Sequence, residues 1–200
     1  MRKFTVAPLS LRNDAAQRRR TLVAWLALTS ALLLAAAVEL SARSDTNAPA
    51  ALDDPTIIAI FDAANTADIE TGQLAAELGH SAEVRAFGAM LARDHKQVRQ
   101  IGRDLAARLD VTPTPPTDGA AAKAHAQAMA SLRATSGPDF DRAFLQHEVA
   151  FHKSAIDAVN GTLLPAVRNE ELRGLVVKVA PAFEAHMIAA QELEKQLAGK

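Results

Sequence analysis

The chain has no cysteine, no tyrosine and one tryptophan, and aromatic residues make up only 4% of its 200 positions. Without cysteine there are no disulfides, thiolate metal sites, iron–sulfur clusters or cysteine nucleophile. Without tyrosine there is no tyrosyl radical. Any bound metal must take its ligands from histidine and carboxylate side chains. Runs of β-branched residues are also scarce. What is present instead is 49% hydrophobic residues, mostly Ala and Leu, a composition that favours packed helices over sheets. The serines show neither a His-and-acid arrangement nor a nucleophile elbow, so no residue is assigned as catalytic.

A net charge of −1 conceals an asymmetry. Residues 1–20 carry Arg2, Lys3, Arg12, Arg18, Arg19 and Arg20 against Asp14, a net +5, which leaves −6 on the rest. An acidic body without a basic-aromatic stripe argues against nucleic acid as a partner. After the basic residues 1–20 comes TLVAWLALTSALLLAAAV, residues 21–38, uncharged until Glu39. At a rise of ~1.5 Å per residue it just covers a bilayer core of ~30 Å. Residues 21–40 are expected to be an uncleaved transmembrane anchor or the apolar part of a signal peptide. Basic flanks stay cytoplasmic, so under either reading the rest of the chain is exported to the periplasm, anchored in the inner membrane if uncleaved. Arg19-Arg20-Thr-Leu-Val resembles a twin-arginine export signal, and Ala48-Pro49-Ala50 has the pattern of a cleavage site. Residues 41–53 read as a flexible tether.

Residues 54–198 read as one all-α domain, an up-and-down bundle of four long helices. Asp53-Asp54-Pro55 starts the first, with a capping acid followed by proline where its missing N–H costs nothing. A Gly-His-Ser turn near residue 80 joins it to the second, which ends before the proline-rich loop 110–119. An Ala-rich helical stretch at 120–135 either lies across the bundle or extends helix three, which presents Phe140, Phe144, Phe151, Ala155 and Val159 and is expected to end at Asn160-Gly161. Asn169 caps helix four, whose stripe is Leu172, Val176, Val179, Phe183, His186, Ala190, Leu193 and Leu197. Pro181 is expected to kink it.

Each long helix carries an acid or imidazole near its middle, on or beside its apolar stripe. These are Glu70 in the first, Asp94 and His95 in the second, His147, Glu148 and His152 in the third, and His186 in the fourth. Counted from the connecting turns they lie at similar depth. Buried polar groups must pair, hold water or bind something. Either they satisfy one another in a network that fixes the bundle register, giving a structural or protein-interaction module, or they hold a transition-metal ion such as Zn, Fe, Mn or Cu.

The segments ADIETGQLA (67–75), MLARDHKQV (90–98), FDRAFLQHEVAFHKSAID (140–157) and APAFEAHMIAAQEL (180–193) resemble the helix motifs of an exported bacterial family, catalogued as a domain of unknown function, DUF4142. Its members are often labelled membrane or outer-membrane proteins. The resemblance implies a ferritin-like four-helix bundle and places Glu70, Asp94, His95, His152 and His186 on the family's motifs as metal ligands or their partners, with Glu148 and His147 as secondary candidates. The ferritin-like group implies a di-iron site built on Glu-x-x-His, and the chain departs from it. Ala92, Val149 and Phe183 stand three residues before His95, His152 and His186.

Overall fold

The computed structural model describes residues 52–199, and these are all-α. The anchor or signal segment at 21–40 and most of the tether fall outside them, and no helix among the described residues is long and apolar enough to cross a membrane. Five helices form: α1 Asp54–Leu78, α2 Ala82–Arg108, α3 Ala120–Arg133, α4 Gly137–Ala158 and α5 Glu170–Ala198. Three start on side-chain caps. Asp53 accepts from the Thr56 amide, Ser81 from Val84 and Asn169 from Leu172, which satisfies donors that the first helical turn leaves free.

The helix after Gly137 does not stop at Gly161. The chain passes through a π-helical turn, Val159–Leu163, and a short helical turn, Leu164–Ala166. Gly161 adopts no left-handed conformation there, so it does not act as a terminator. Helix α5 runs through Pro181 without interruption.

Two carboxylates reveal the topology. Asp141, at the start of α4, accepts from the amides of His80 and Ser81 at 2.7 and 2.8 Å, closing the α1–α2 turn. Asp54, at the start of α1, accepts from Arg168 and Asn169 at 2.9 Å each, closing the turn into α5. Each hairpin's turn is therefore clamped by the other hairpin's first helix. It follows that α1 runs up, α2 down, α4 down and α5 up. Helix α3 carries the chain back along α1 and α4, so the order is not the simple up-and-down one expected from the sequence. The four long helices close a ring α1–α2–α5–α4 in which every neighbour is antiparallel.

Glycines set the spacing of the first hairpin. A Cβ built on Gly72 would lie 2.6 Å from the Gly88 carbonyl oxygen, and one on Gly88 would lie 2.6 Å from that of Gly72. The two backbones touch where no side chain fits. Inside the ring the apolar core falls into two clusters. One gathers Ile57, Phe61, Leu105, Leu172, Val176 and Phe183 near the α1 N-terminus. The other gathers Leu74, Val84, Leu91, Phe140, Phe144 and Ala190 near the α1–α2 turn. Between them lies a layer of buried polar side chains: Asn65, Asp68, Thr71, His95, Glu148, His152 and His186.

Candidate metal centre

Three of the seven side chains in this layer are imidazoles, and they meet. The ring centroids of His95, His152 and His186 are 5.1 to 5.7 Å apart, and Phe183 packs against two of them. One ring nitrogen from each lies within 4.8 Å of the nitrogens of the other two. A second group, Asp68, Glu148 and His152, converges as closely. His152 belongs to both.

Backbone and amide geometry fix the ring protons. Asn65 Nδ2 donates to the Phe61 carbonyl at 2.8 Å, so its Oδ1 faces His95 Nδ1 at 2.9 Å as an acceptor. His95 therefore carries its proton on Nδ1 and turns the Nε2 lone pair toward His186 Nδ1, 3.2 Å away. His152 Nδ1 likewise donates to the Glu148 carbonyl at 2.9 Å, which leaves the buried Nε2 as a lone pair with no partner. His186 Nε2 lies 3.5 Å from Asp94 Oδ2. In His95 and His152 one nitrogen is held by an oxygen acceptor and the other turns toward the remaining imidazoles, the arrangement that orients imidazoles around metals.

Burial keeps these rings neutral. It pushes His95 down to about 3 and His152 down to about 4, aided in both by neighbouring imidazoles. Burial also lowers His186, against the opposing pull of Asp94. The carboxyls go the other way. Burial pushes Glu148 up to about 7, while burial and then the nearby Glu148 raise Asp68 well above the usual carboxylate range. Neutral imidazoles and carboxyls that resist ionisation give a layer of little net charge, and a cation placed among them would favour the ionised carboxylates. Neither Glu148 oxygen nor Asp68 Oδ2 makes a hydrogen bond, although Asp68 Oδ2 lies 3.4 Å from His95 Nδ1 and Glu148 Oε2 lies 3.5 Å from His152 Nδ1.

Of the residues singled out from sequence, His95, His152, His186 and Glu148 come together. Asp94 sits at the rim, with a side chain 35% exposed and bound to Arg93 at 2.8 Å. Glu70 does not join. It lies on the solvent stripe of α1 and pairs with His125 of α3 at 2.7 Å. His147 is partly buried beside Phe151 and near His125, and burial lowers it to about 4, but it falls in neither converging group. Asp68, Asn65 and Thr71 went unnoticed because α1 buries most of its circumference. A signal was there: Glu70, Gln73 and Glu77 trace the solvent stripe at helical spacing, and Asp68 lies opposite Glu70. A cleft of about 560 Å³ at the α1–α2 turn, lined by His80, Asp141 and Leu197, includes none of the polar layer.

Residues 39–193 match the family described as Domain of unknown function (DUF4142), and the chain belongs to it. No curated protein and no solved structure matches the chain.

Proposed function

We propose that this domain binds one first-row transition-metal ion in its polar layer, with His95, His152 and His186 as nitrogen ligands and Asp68 and Glu148 as oxygen ligands. The carrying observation is the convergence of two buried groups on His152, whose Nε2 has no hydrogen-bond partner. A network that only satisfied itself would not leave this nitrogen bare, since an unpaired buried polar atom costs ~1–3 kcal/mol. The two converging groups share His152, and we assign them to a single ion. Imidazole with carboxylate suits Zn, Fe, Mn or Cu. Two ligands at ~2.1 Å in tetrahedral geometry stand ~3.4 Å apart, so the 3.2 Å between His95 Nε2 and His186 Nδ1 needs little adjustment.

A single long crossover between two hairpins is the topology of ferritin-like bundles, which supports that grouping. The missing Glu-x-x-His sets its chemistry apart from di-iron sites. The export and membrane tether expected from residues 1–40 would place the bundle on the outer side of a cell membrane, where it would handle metal ions or metal stress. Metal analysis of tag-free protein should return one ion per chain, and His152→Ala should abolish it. Metal-free wild type that shows no thermal shift with Zn, Cu, Fe or Mn would overturn the proposal.

A further inference from the structure

If the polar layer holds an ion, a path must lead to it, and the ring offers four seams. The α1–α2 seam is shut, because the backbones meet at Gly72 and Gly88 and a Cβ on Gly102 would lie 2.8 Å from the Phe61 ring. The α4–α5 seam is the next most closely packed of the four. The two seams between hairpins are less tightly packed. Across α1–α4 lies the crossover helix α3, which buries Met129 and Leu132 there and fastens His125 to Glu70. The remaining seam, α2–α5, has no helix over it among the described residues.

Asp94 stands at that seam. One of its oxygens is held by Arg93 at the surface, and the other lies 3.5 Å from His186 Nε2. His186 then reaches His95 Nε2 with its second nitrogen, at 3.2 Å. It is also the most exposed of the five proposed ligands, at 7% against 2% or less for the others. Carboxylate, imidazole and inner imidazole thus form a continuous line of donors from solvent to the site. We infer that the ion enters between α2 and α5, with Asp94 as its first protein ligand and His186 as the group that passes it inward. The inference rests on the metal-binding proposal and adds the route.

A route and a positional role for Asp94 differ in kinetics. A gate changes the rates of uptake and release together, whereas a residue that only steadies a bound ligand changes release alone. The test measures Zn²⁺ uptake by the metal-free full chain, and its release, with a fluorescent zinc chelator as the reporter. Asp94→Asn should slow both by about tenfold and leave the capacity of one ion unchanged. Asp94→Glu should restore the rate, and Glu70→Gln, at the covered seam, should leave it as in wild type. Unchanged uptake with faster release in Asp94→Asn, slow uptake persisting in Asp94→Glu, or slowing by Glu70→Gln equal to that of Asp94→Asn would overturn the route. A wild-type chain that takes up no metal would overturn the binding proposal beneath it, a result separable from all of these.

Discussion

The two hairpins are clamped in the same way but differ in how their helices meet. In the first, α1 and α2 touch backbone to backbone at Gly72 and Gly88. In the second, α4 and α5 meet through side chains. Gly174 of α5 has nothing within 4 Å of its Cβ position, the connection is a π-helical turn, and Pro181 denies α5 one backbone hydrogen bond. The first hairpin supplies Asn65, Asp68, Thr71 and His95 to the polar layer, and the second supplies Glu148, His152 and His186. A fixed half therefore faces an adjustable half. An ion bound between them would fasten one to the other, and π-helical turns are common where a helix must adapt to a site.

Changes on either side of this contrast should separate the two halves. The largest effect is expected from metal. At a free concentration of ~100 Kd an ion adds ~2.7 kcal/mol, or roughly 5–10 °C in melting temperature for a domain of this size. Glu148→Gln should remove that gain while leaving the metal-free protein folded, as read by scanning calorimetry with and without Zn²⁺. Gly88→Ala should destabilise by about 2–3 kcal/mol in urea, because the α1 backbone has to retreat. Asp141→Ala should cost about 2 kcal/mol by removing a carboxylate that accepts from two amides, and Asp54→Ala less, since Asp54 is more exposed. The smallest expected effect has the opposite sign: Gly174→Ala should stabilise by about 0.5–1 kcal/mol, as alanine favours a helix that has room for it.

Acid should test the polar layer directly. His95 and His152 titrate near 3 and 4 in the folded protein, against ~6.5 in an unfolded chain. Between those values the unfolded chain binds protons that the folded one refuses, so metal-free stability should fall as the pH drops from about 6.5. Glu148, raised to about 7, works the other way. Its contribution is complete below ~4.3 and is lost as the pH rises through 7. Urea midpoints between pH 7 and 4 should therefore fall more steeply in Glu148→Gln than in wild type.

The helices were legible because their boundaries are written in short-range chemistry: Asp53 with Pro55, Ser81, and Asn169. The three converging histidines were legible for a related reason, each being an imidazole on an apolar stripe. Asp68 was not. A helix buried on most sides has no strong hydrophobic phase, so Glu70, two residues on, looked equally well placed. The direction of α4 was also hidden, because the clamps by Asp54 and Asp141 join residues 60 to 115 positions apart, and no local pattern records them. The length of α3, about 21 Å at ~1.5 Å per residue, was the available hint that the chain returns along the bundle before descending again.

The ring of antiparallel neighbours has an electrostatic consequence. Each helix carries about half a positive charge at its N-terminus and half a negative charge at its C-terminus. Each end of the bundle gathers two of each kind, alternating around the ring, so the backbone fields largely cancel along its axis. The scaffold itself neither draws a cation inward nor repels one. Selectivity for an ion in the polar layer then resides in a few side chains, and the same backbone with those side chains exchanged would be electrically indifferent.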